Sequence, residues 1–214
     1  MAVQNPDGPS GNIGGIIYYT RKGKKCMRAM PAHYDDAKTP AQLKHREKMK
    51  RAGRFTKACR RFLDIGYQDS SKDSPSNEAR SFIIKSCFTD MDPLPVLDYS
   101  RVVVSRGTIA PPKDPAMKVE GSMATITWDT TRVKHIYAAN TDKVMVLMFS
   151  DDCETGTAHY YRHIAFRSDG QVTITVPIST APLHTWMFFH EPDAATSESK
   201  RKISDSVYLG VVGG

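Results

Sequence analysis

Thr125-Ile-Thr-Trp-Asp129 and Val144-Met-Val-Leu-Met-Phe149 are the stretches that decide the fold of this 214-residue chain. Both are short runs of residues that favour strands, and six similar runs lie around them, with turn residues between them. The eight runs cover residues 99–104, 117–120, 124–129, 143–150, 159–167, 172–176, 185–190 and 206–211. Short strands at this spacing predict an antiparallel β-sandwich.

The position of Trp128 in an early strand resembles the buried tryptophan of fibronectin type III or immunoglobulin-like domains, although the cysteine pair of antibody domains is missing. The connector Met91-Asp-Pro-Leu-Pro95 has two prolines in three residues, which exclude helix and favour extended chain. We therefore predict two domains, residues 1–92 and 93–214. The predicted fold class is α+β, with a basic N-terminal β-hairpin and two helices followed by the sandwich.

The hairpin is predicted from two β-prone runs, Ile13–Tyr19 and Lys25–Met30, which flank the polar turn Arg21-Lys-Gly-Lys24. Glycines at positions 11, 14 and 15 lie just before or at the start of its first run and permit unusual backbone angles. A two-stranded hairpin alone is marginally stable in water. We expect it to pack on the same chain, on a neighbouring copy or on another protein.

Two helices are predicted after the hairpin. Thr39-Pro-Ala-Gln42 is typical of a helix start, because threonine can cap free N–H groups and proline suits the first turn. This helix is expected to run to about Gly66 with a single apolar stripe, formed by Ala52, Phe55, Cys59, Phe62 and Leu63. Pro75-Ser-Asn77 opens a shorter helix whose apolar side contains Ala79, Phe82, Ile83 and Cys87.

Positive charge is concentrated near the N-terminus. Residues 1–66 contain fifteen Lys and Arg against five Asp and Glu, whereas residues 67–214 contain fifteen against eighteen. Such a block favours contact with nucleic acid, an acidic protein or an anionic membrane, although a solvated helix face gives the same pattern. The candidate residues for contact with nucleic acid or a neighbouring subunit are Tyr18, Tyr19, Arg21, Lys22, Lys24, Lys25, Arg28, Lys44, Lys48, Arg51 and Arg54.

Clustered cations bind phosphate backbones through counterion release, and tyrosines beside them can stack on bases. The chain contains no strong base-reading motif, so we expect any contact with nucleic acid to be independent of sequence.

Motifs for catalysis and cofactors are missing from the sequence. The glycines at positions 11, 14 and 15 lead into a strand rather than into the Gly-Lys-Ser/Thr and helix of a phosphate-binding loop. No serine or cysteine lies in a recognisable nucleophile motif. We therefore predict a protein that is not an enzyme and has no cofactor.

Metal binding is also not predicted. His159 and His163 could converge on one face of a strand, but zinc sites need three or four donors. Asp151, Asp152 and Glu154 lack the spacing of known calcium loops, which favours a solvated turn. The four cysteines are Cys26, Cys59, Cys87 and Cys153, and they are expected to be reduced and mostly buried.

Several motifs together carry a family resemblance. They are Ser10-Gly-x-x-Gly14 before an aromatic strand, Gly23 in the turn, Arg28-x-x-Pro31, Thr39-x-x-Gln42-x-x-x-Arg46 and Ser204-Asp-Ser-Val-Tyr-Leu-Gly210. In this order the chain resembles a family of uncharacterised proteins, a domain of unknown function, from Bacteroidota and their mobile elements. Asp36-Ala37 stands where that family usually has Asn-Pro. The N-terminal part is also similar to short proteins encoded among phage and prophage structural genes.

From these features we expect a structural or assembly protein, a component of a phage or phage-like particle, whose basic arm contacts neighbouring subunits or nucleic acid. The alternative is a sequence-independent nucleic-acid-binding accessory protein. The expected partners are further copies of the chain in a homo-oligomer, or other particle subunits. The chain has no run of eighteen apolar residues and no signal-peptide pattern. We therefore expect no membrane contact, and a location in the cytoplasm during assembly and in the virion or particle if the chain is phage-encoded.

Overall fold

The computed structural model describes residues 3–5, 8–21, 23–32, 36–68, 74–89, 94–131, 138–151, 156–192 and 202–213. The chain forms two compact units, Met1–Thr39 and Pro40–Gly214. The division predicted between residues 92 and 93 lies outside the described residues. The observed division falls before the first helix, so the helices belong to the same unit as the sandwich.

The N-terminal unit is a four-stranded antiparallel sheet in sequential order. Its strands are β1 (Val3–Asn5), β2 (Gly8–Ile13), β3 (Ile16–Arg21) and β4 (Lys24–Ala29). The predicted hairpin is confirmed as β3 and β4. Gly14 and Gly15, with φ of 59° and 80°, form the two-residue turn that joins β2 to β3. The strand β2 was not predicted, because its sequence of Gly, Pro, Ser and Asn has a low propensity for strands.

Three helices begin the larger unit: α1 (Pro40–Ala58), α2 (Arg60–Gly66) and α3 (Pro75–Ser86). The predicted long helix is therefore two segments that meet at Cys59. All five residues of its predicted apolar stripe are fully buried. The helix α3 packs against α1, and there Nε of Arg80 donates a hydrogen bond to Oγ1 of Thr56 at 3.2 Å.

Two further sheets complete this unit, beside the short pair β5 (Phe88–Thr89) and β6 (Val96–Leu97). The other strands are β7 (Lys113–Glu120), β8 (Met123–Asp129), β9 (Lys143–Ser150), β10 (Thr157–Phe166), β11 (Gln171–Thr175), β12 (Leu183–His190) and β13 (Val207–Val212). Their orders are β10-β9-β12-β13 and β11-β8-β7, with antiparallel neighbours. The α+β class and the antiparallel, sandwich-like sheets are thus confirmed, and the immunoglobulin-like or fibronectin type III assignment stays a prediction.

The prediction of a strand at residues 99–104 was wrong. Tyr99–Arg101 is a 3₁₀-helical turn, and the chain after it is extended without a ladder partner. The carboxylate of Asp98 accepts a hydrogen bond from the backbone N–H of Ser100 at 3.0 Å. Such a local side-chain acceptor favours a capped turn over a strand.

The core lies on both sides of the four-stranded sheet, because β9 and β12 are buried on both faces. Phe149, Trp186 and Phe188 face the helices and pack against Phe55 and Phe62. The opposite face packs against the three-stranded sheet through Val144, Val146, Met148, Met187, Phe189, Ala124, Ile126 and Trp128. The larger unit therefore has three layers: helices, the four-stranded sheet and the three-stranded sheet.

Two helical glycines are expected to respond in opposite directions to alanine. A Cβ on Gly66 would lie 2.0 Å from the carbonyl oxygen of Val104, whereas a Cβ on Gly53 would have no neighbour within 4 Å. Gly66→Ala should lower the free energy of unfolding by about 1–3 kcal/mol through steric overlap. Gly53→Ala should raise it by about 1 kcal/mol, since alanine favours a helix interior. Thermal unfolding followed by circular dichroism tests both, and a Gly66→Ala variant as stable as the wild type would contradict the close packing.

Candidate interaction surfaces

The strand register of the N-terminal sheet separates its side chains into two different faces. Residues paired directly across antiparallel strands lie on the same face, and successive residues alternate between faces. One face, here called the apolar face, contains Ile13, Ile16, Tyr18 and Met27, with Thr20 and Lys25 at one end. The other, here called the cationic face, contains Ile17, Tyr19, Arg21, Lys24, Cys26 and Arg28.

The N-terminal sheet has no buried residue among those whose burial is described between Gly8 and Thr39. On the apolar face, Ile13 is 43% exposed, Ile16 is 38% exposed and Met27 is 71% exposed. A sheet needs a hydrophobic face packed against something else to be stable in water. The apolar face is therefore a surface that a partner would stabilise.

The cationic face brings four of the predicted site residues together. Arg21 lies directly opposite Lys24, and Tyr19 is paired with Cys26 beside them. Like charges directly opposite each other repel, and a bound anion would relieve that repulsion. The predicted residues Tyr18 and Lys25 lie on the apolar face instead, and Lys22 lies outside the described residues.

The predicted site residues of the first helix contact other parts of their own unit. Arg54 pairs with Asp151 at 2.7 Å, and this hydrogen bond raises the pKa of the Arg54 guanidinium. Arg51 pairs with Glu47 at 2.7 Å, one helical turn away. Lys44 is half-buried, and the ammonium of Lys48 lies 5.8 Å from the centre of the Phe88 ring. The structure thus gives Lys48, Arg51 and Arg54 contacts within the larger unit.

The exposed cations in the second half of α1 and in α2 are not the predicted site residues. Every residue classed as exposed from Lys50 to Arg61 is a lysine or an arginine: Lys50, Lys57, Arg60 and Arg61. They lie on the side of the helix opposite the buried stripe. We call these four residues, together with Arg162 on β10, the cationic ridge. None of the five was among the predicted site residues. The spacings of seven residues from Lys50 to Lys57 and of three from Lys57 to Arg60 nevertheless place these cations away from the apolar stripe.

A polar cluster holds the 3₁₀ turn against the four-stranded sheet. The Tyr99 ring stacks on His184 with centroids 4.0 Å apart, and Nδ1 of His184 lies 2.8 Å from the Tyr208 hydroxyl. The Tyr99 hydroxyl donates a hydrogen bond to Asp151 at 3.1 Å. Burial lowers the pKa of His184 and raises that of Tyr208, so imidazole and phenol are both neutral near pH 7.

Metal-ligand chemistry gains no support from the described part of the chain. No group of three or more His, Cys, Asp or Glu side chains there could hold a metal ion. A register shift follows Arg162, so His159 and His163 do not continue one regular strand face. Asp151 is paired with Arg54, whereas Asp152 and Glu154 lie outside the described residues.

Three of the four cysteines belong to the described residues, and all three are free thiols. Cys59 and Cys87 are buried, as predicted, and Cys26 is half-buried, whereas Cys153 lies outside the described residues. Among the described residues, no helix is both long enough and apolar enough to span a membrane.

Fold and surfaces together define a mixed α+β protein, with a small basic sheet that lacks a core and a helix-covered β-sandwich that carries an exposed cationic ridge. The chain belongs to the family of unknown function DUF6266, whose profile matches residues 8–210. This match covers both units and confirms the predicted membership of a domain of unknown function. No curated protein matches the chain.

Proposed function

We propose that this protein is a non-enzymatic structural or assembly protein, of the kind that builds a phage or phage-like particle, and that its N-terminal sheet docks on neighbouring copies. The observation that carries the proposal is a four-stranded sheet without a single buried residue among those whose burial is described. The kind of particle that we propose follows from the resemblance, stated in the sequence analysis, of the N-terminal part to short proteins encoded among phage and prophage structural genes.

A second copy is the partner that we propose for the apolar face. Its centre has no charged residue, because Ile13, Ile16, Tyr18 and Met27 are neighbours there and Lys25 stands at one end. An isologous pairing of two such faces would bury the apolar centres and place the two lysines at the rim, where water screens them. The three-layer unit supplies a packed body that such contacts can join into an assembly.

Met27→Glu is expected to disrupt this association. Met27 is the most exposed large apolar residue of the sheet, at 71%, so a carboxylate there costs little in the free chain. In the assembled state it would bury an unpaired charge, which should raise the dissociation constant about tenfold or more. Size-exclusion chromatography with light scattering over a concentration series measures the shift from oligomer to monomer.

Ile178→Glu is the matched control, because Ile178 is also an exposed apolar residue, at 103%, but belongs to the larger unit. We expect Ile178→Glu and the conservative Met27→Leu to associate like the wild type. A wild-type chain that stays monomeric at all concentrations, or equal behaviour of the two glutamate variants, would refute self-association through the apolar face.

The second candidate function is sequence-independent binding of nucleic acid. It is favoured by the cationic face, where Tyr19 is 39% exposed beside Arg21, Lys24 and Arg28. An exposed tyrosine among cations offers a base a stacking surface and offers the phosphates their counter-charges. The triple variant Arg21→Gln/Lys24→Gln/Arg28→Gln tests this face in the duplex-binding experiment described below.

A further inference from the structure

The cationic ridge is a second charged surface, which lies wholly within the larger unit. Lys50 and Lys57 on α1 are followed by Arg60 and Arg61 on α2, and all four are exposed. From Lys50 to Arg61 the helical rise places the charges along about 16 Å. None of the four forms an ion pair with another described residue.

Arg162 extends the ridge from the helices onto the edge strand β10. Its guanidinium lies 5.9 Å from the centre of the Tyr160 ring, and the Tyr160 hydroxyl donates a hydrogen bond to the carbonyl oxygen of Ala58 at the end of α1. Burial raises the pKa of Tyr160 to about 12, and the charges of Arg162 and Arg61 oppose this rise. The Tyr160 ring thus contacts the Arg162 guanidinium, and its hydroxyl contacts the end of α1, so β10 places the charge of Arg162 beside the helix that carries Lys57.

The composition of the ridge distinguishes between possible anionic partners. A helix that binds a membrane surface needs apolar side chains beside its cations, and the centres of protein interfaces are rich in aromatic residues. Between Lys50 and Arg61 the exposed residues are all cationic, and a Cβ added to the half-buried Gly53 would have no neighbour within 4 Å. Asp64, the next exposed residue on this side, is the single carboxylate. Met49, next to Lys50, is 43% exposed, but no exposed apolar side chain lies between Lys50 and Arg61. Such a row of cations fits a phosphate backbone, which carries charge at regular intervals.

We propose that the cationic ridge binds the phosphate backbone of double-stranded nucleic acid, independent of its sequence. This inference rests on the second candidate function and gives it a surface separate from the N-terminal sheet. A duplex presents one negative charge per about 1.7 Å of its axis, so about nine phosphates lie within the length of the ridge. The ridge makes no use of base edges, and the expected affinity therefore depends on salt and not on sequence.

The test compares the ridge variant Lys57→Gln/Arg60→Gln/Arg61→Gln with the charge-matched control Lys85→Gln/Arg101→Gln/Lys118→Gln. All six side chains are exposed, so both variants should fold and both lose the same net charge. Fluorescence anisotropy measures binding to a random duplex of about 20 base pairs between about 50 and 200 mM salt. The ridge variant should bind at least about tenfold more weakly at low salt, with a salt slope flatter by about 2–3, and the control should bind like the wild type.

The other outcomes overturn the inference in distinguishable ways. Equal binding by the ridge variant and the control would show that the ridge makes no phosphate contact. If the N-terminal variant Arg21→Gln/Lys24→Gln/Arg28→Gln loses binding and the ridge variant does not, the ridge is overturned while the second candidate function stands. Absence of duplex binding, with ridge-dependent binding to phosphatidylserine vesicles, would assign the ridge to a membrane surface instead.

Discussion

Arg167→Met is expected to lower the free energy of unfolding by about 3–5 kcal/mol, because it leaves a buried carboxylate without its cation. Nε of Arg167 donates to the Asp142 carboxylate at 3.0 Å, and the two side chains are 10% and 3% exposed. The guanidinium also donates to the carbonyl of Ala110 at 2.7 Å and lies 3.9 Å from the centre of the Phe189 ring. Urea unfolding followed by tryptophan fluorescence measures the loss.

The loss of stability in Arg167→Met should become larger as the pH rises. Burial raises the pKa of Asp142 even with Arg167 present, and removal of the guanidinium raises it further. A carboxyl whose pKa is higher in the folded state stabilises the fold when it is protonated, and that contribution disappears as the pH rises through the folded-state pKa. The deficit of Arg167→Met should therefore be smaller at about pH 5 than at about pH 8.

Two further variants separate the buried charge from other effects of the substitution. Asp142→Asn in the Arg167→Met background removes the unpaired charge and should recover part of the stability. Lys113→Met breaks a pair that is 49% exposed on the lysine side, so it should change the melting temperature little. A double variant as unstable as Arg167→Met alone would show that lost packing of the guanidinium, rather than the stranded carboxylate, causes the effect.

The helical stripe and most strands of the larger unit could be predicted from the sequence, because their burial follows a local period. Phe55 and Cys59 repeat at helical spacing and are fully buried. The layer order could not be predicted in this way, since periodicity does not say which element covers which. One signal was present: Val144–Phe149 is apolar at every position, a pattern typical of strands buried on both faces. It indicates a layer on each side of β9, and the helices form one of them.

The candidate site was harder to predict than the fold, because a charge count does not distinguish engaged cations from exposed ones. Arg54 was a predicted contact residue, yet its partner Asp151 lies 97 residues away in sequence. No local pattern reveals such a pairing. The phase of Lys57 and Arg60 relative to the apolar stripe did contain the information, because residues opposite a buried stripe are the ones that face solvent.

The N-terminal sheet illustrates a different limit. Its register could be derived for β3 and β4, since the Lys-Gly turn and the β-prone runs fix the pairing. Because side chains alternate along each strand, this register places the apolar and the cationic residues on opposite faces. The apolar face is complete, however, only when β2 is recognised as a strand. Ile13 and Ile16 become neighbours through that pairing across the Gly14-Gly15 turn. A function in assembly depends on this juxtaposition, which the glycines conceal in the sequence.

Trp186→Ala is expected to destabilise the larger unit by about 3–5 kcal/mol, because Trp186 connects the helical layer to the sheet. Its side chain is fully buried, and the centre of its ring lies 5.7 Å from the centre of the Phe55 ring on α1 and 5.4 Å from that of Tyr208 on β13. Its Nε1 donates a hydrogen bond to the carbonyl of Val102 at 2.9 Å, so the substitution also leaves a buried acceptor without its donor. Denaturant unfolding followed by far-ultraviolet circular dichroism measures the change.

Trp186→Phe is the informative companion variant, since it keeps the aromatic contacts with Phe55 and removes the hydrogen bond to Val102. Its free energy of unfolding should lie between those of the wild type and Trp186→Ala, about 1–3 kcal/mol below the wild type. Trp128→Phe breaks the corresponding bond from Nε1 to the Arg167 carbonyl, at 2.8 Å, on the other side of the sheet, where Trp128 packs against Phe189. If the helices and the sheets form one cooperative unit, each of the variants Trp186→Ala and Trp128→Phe should unfold in a single transition. Separate transitions, with only one sensitive to Trp186→Ala, would mean that the helical layer folds independently of the sheets.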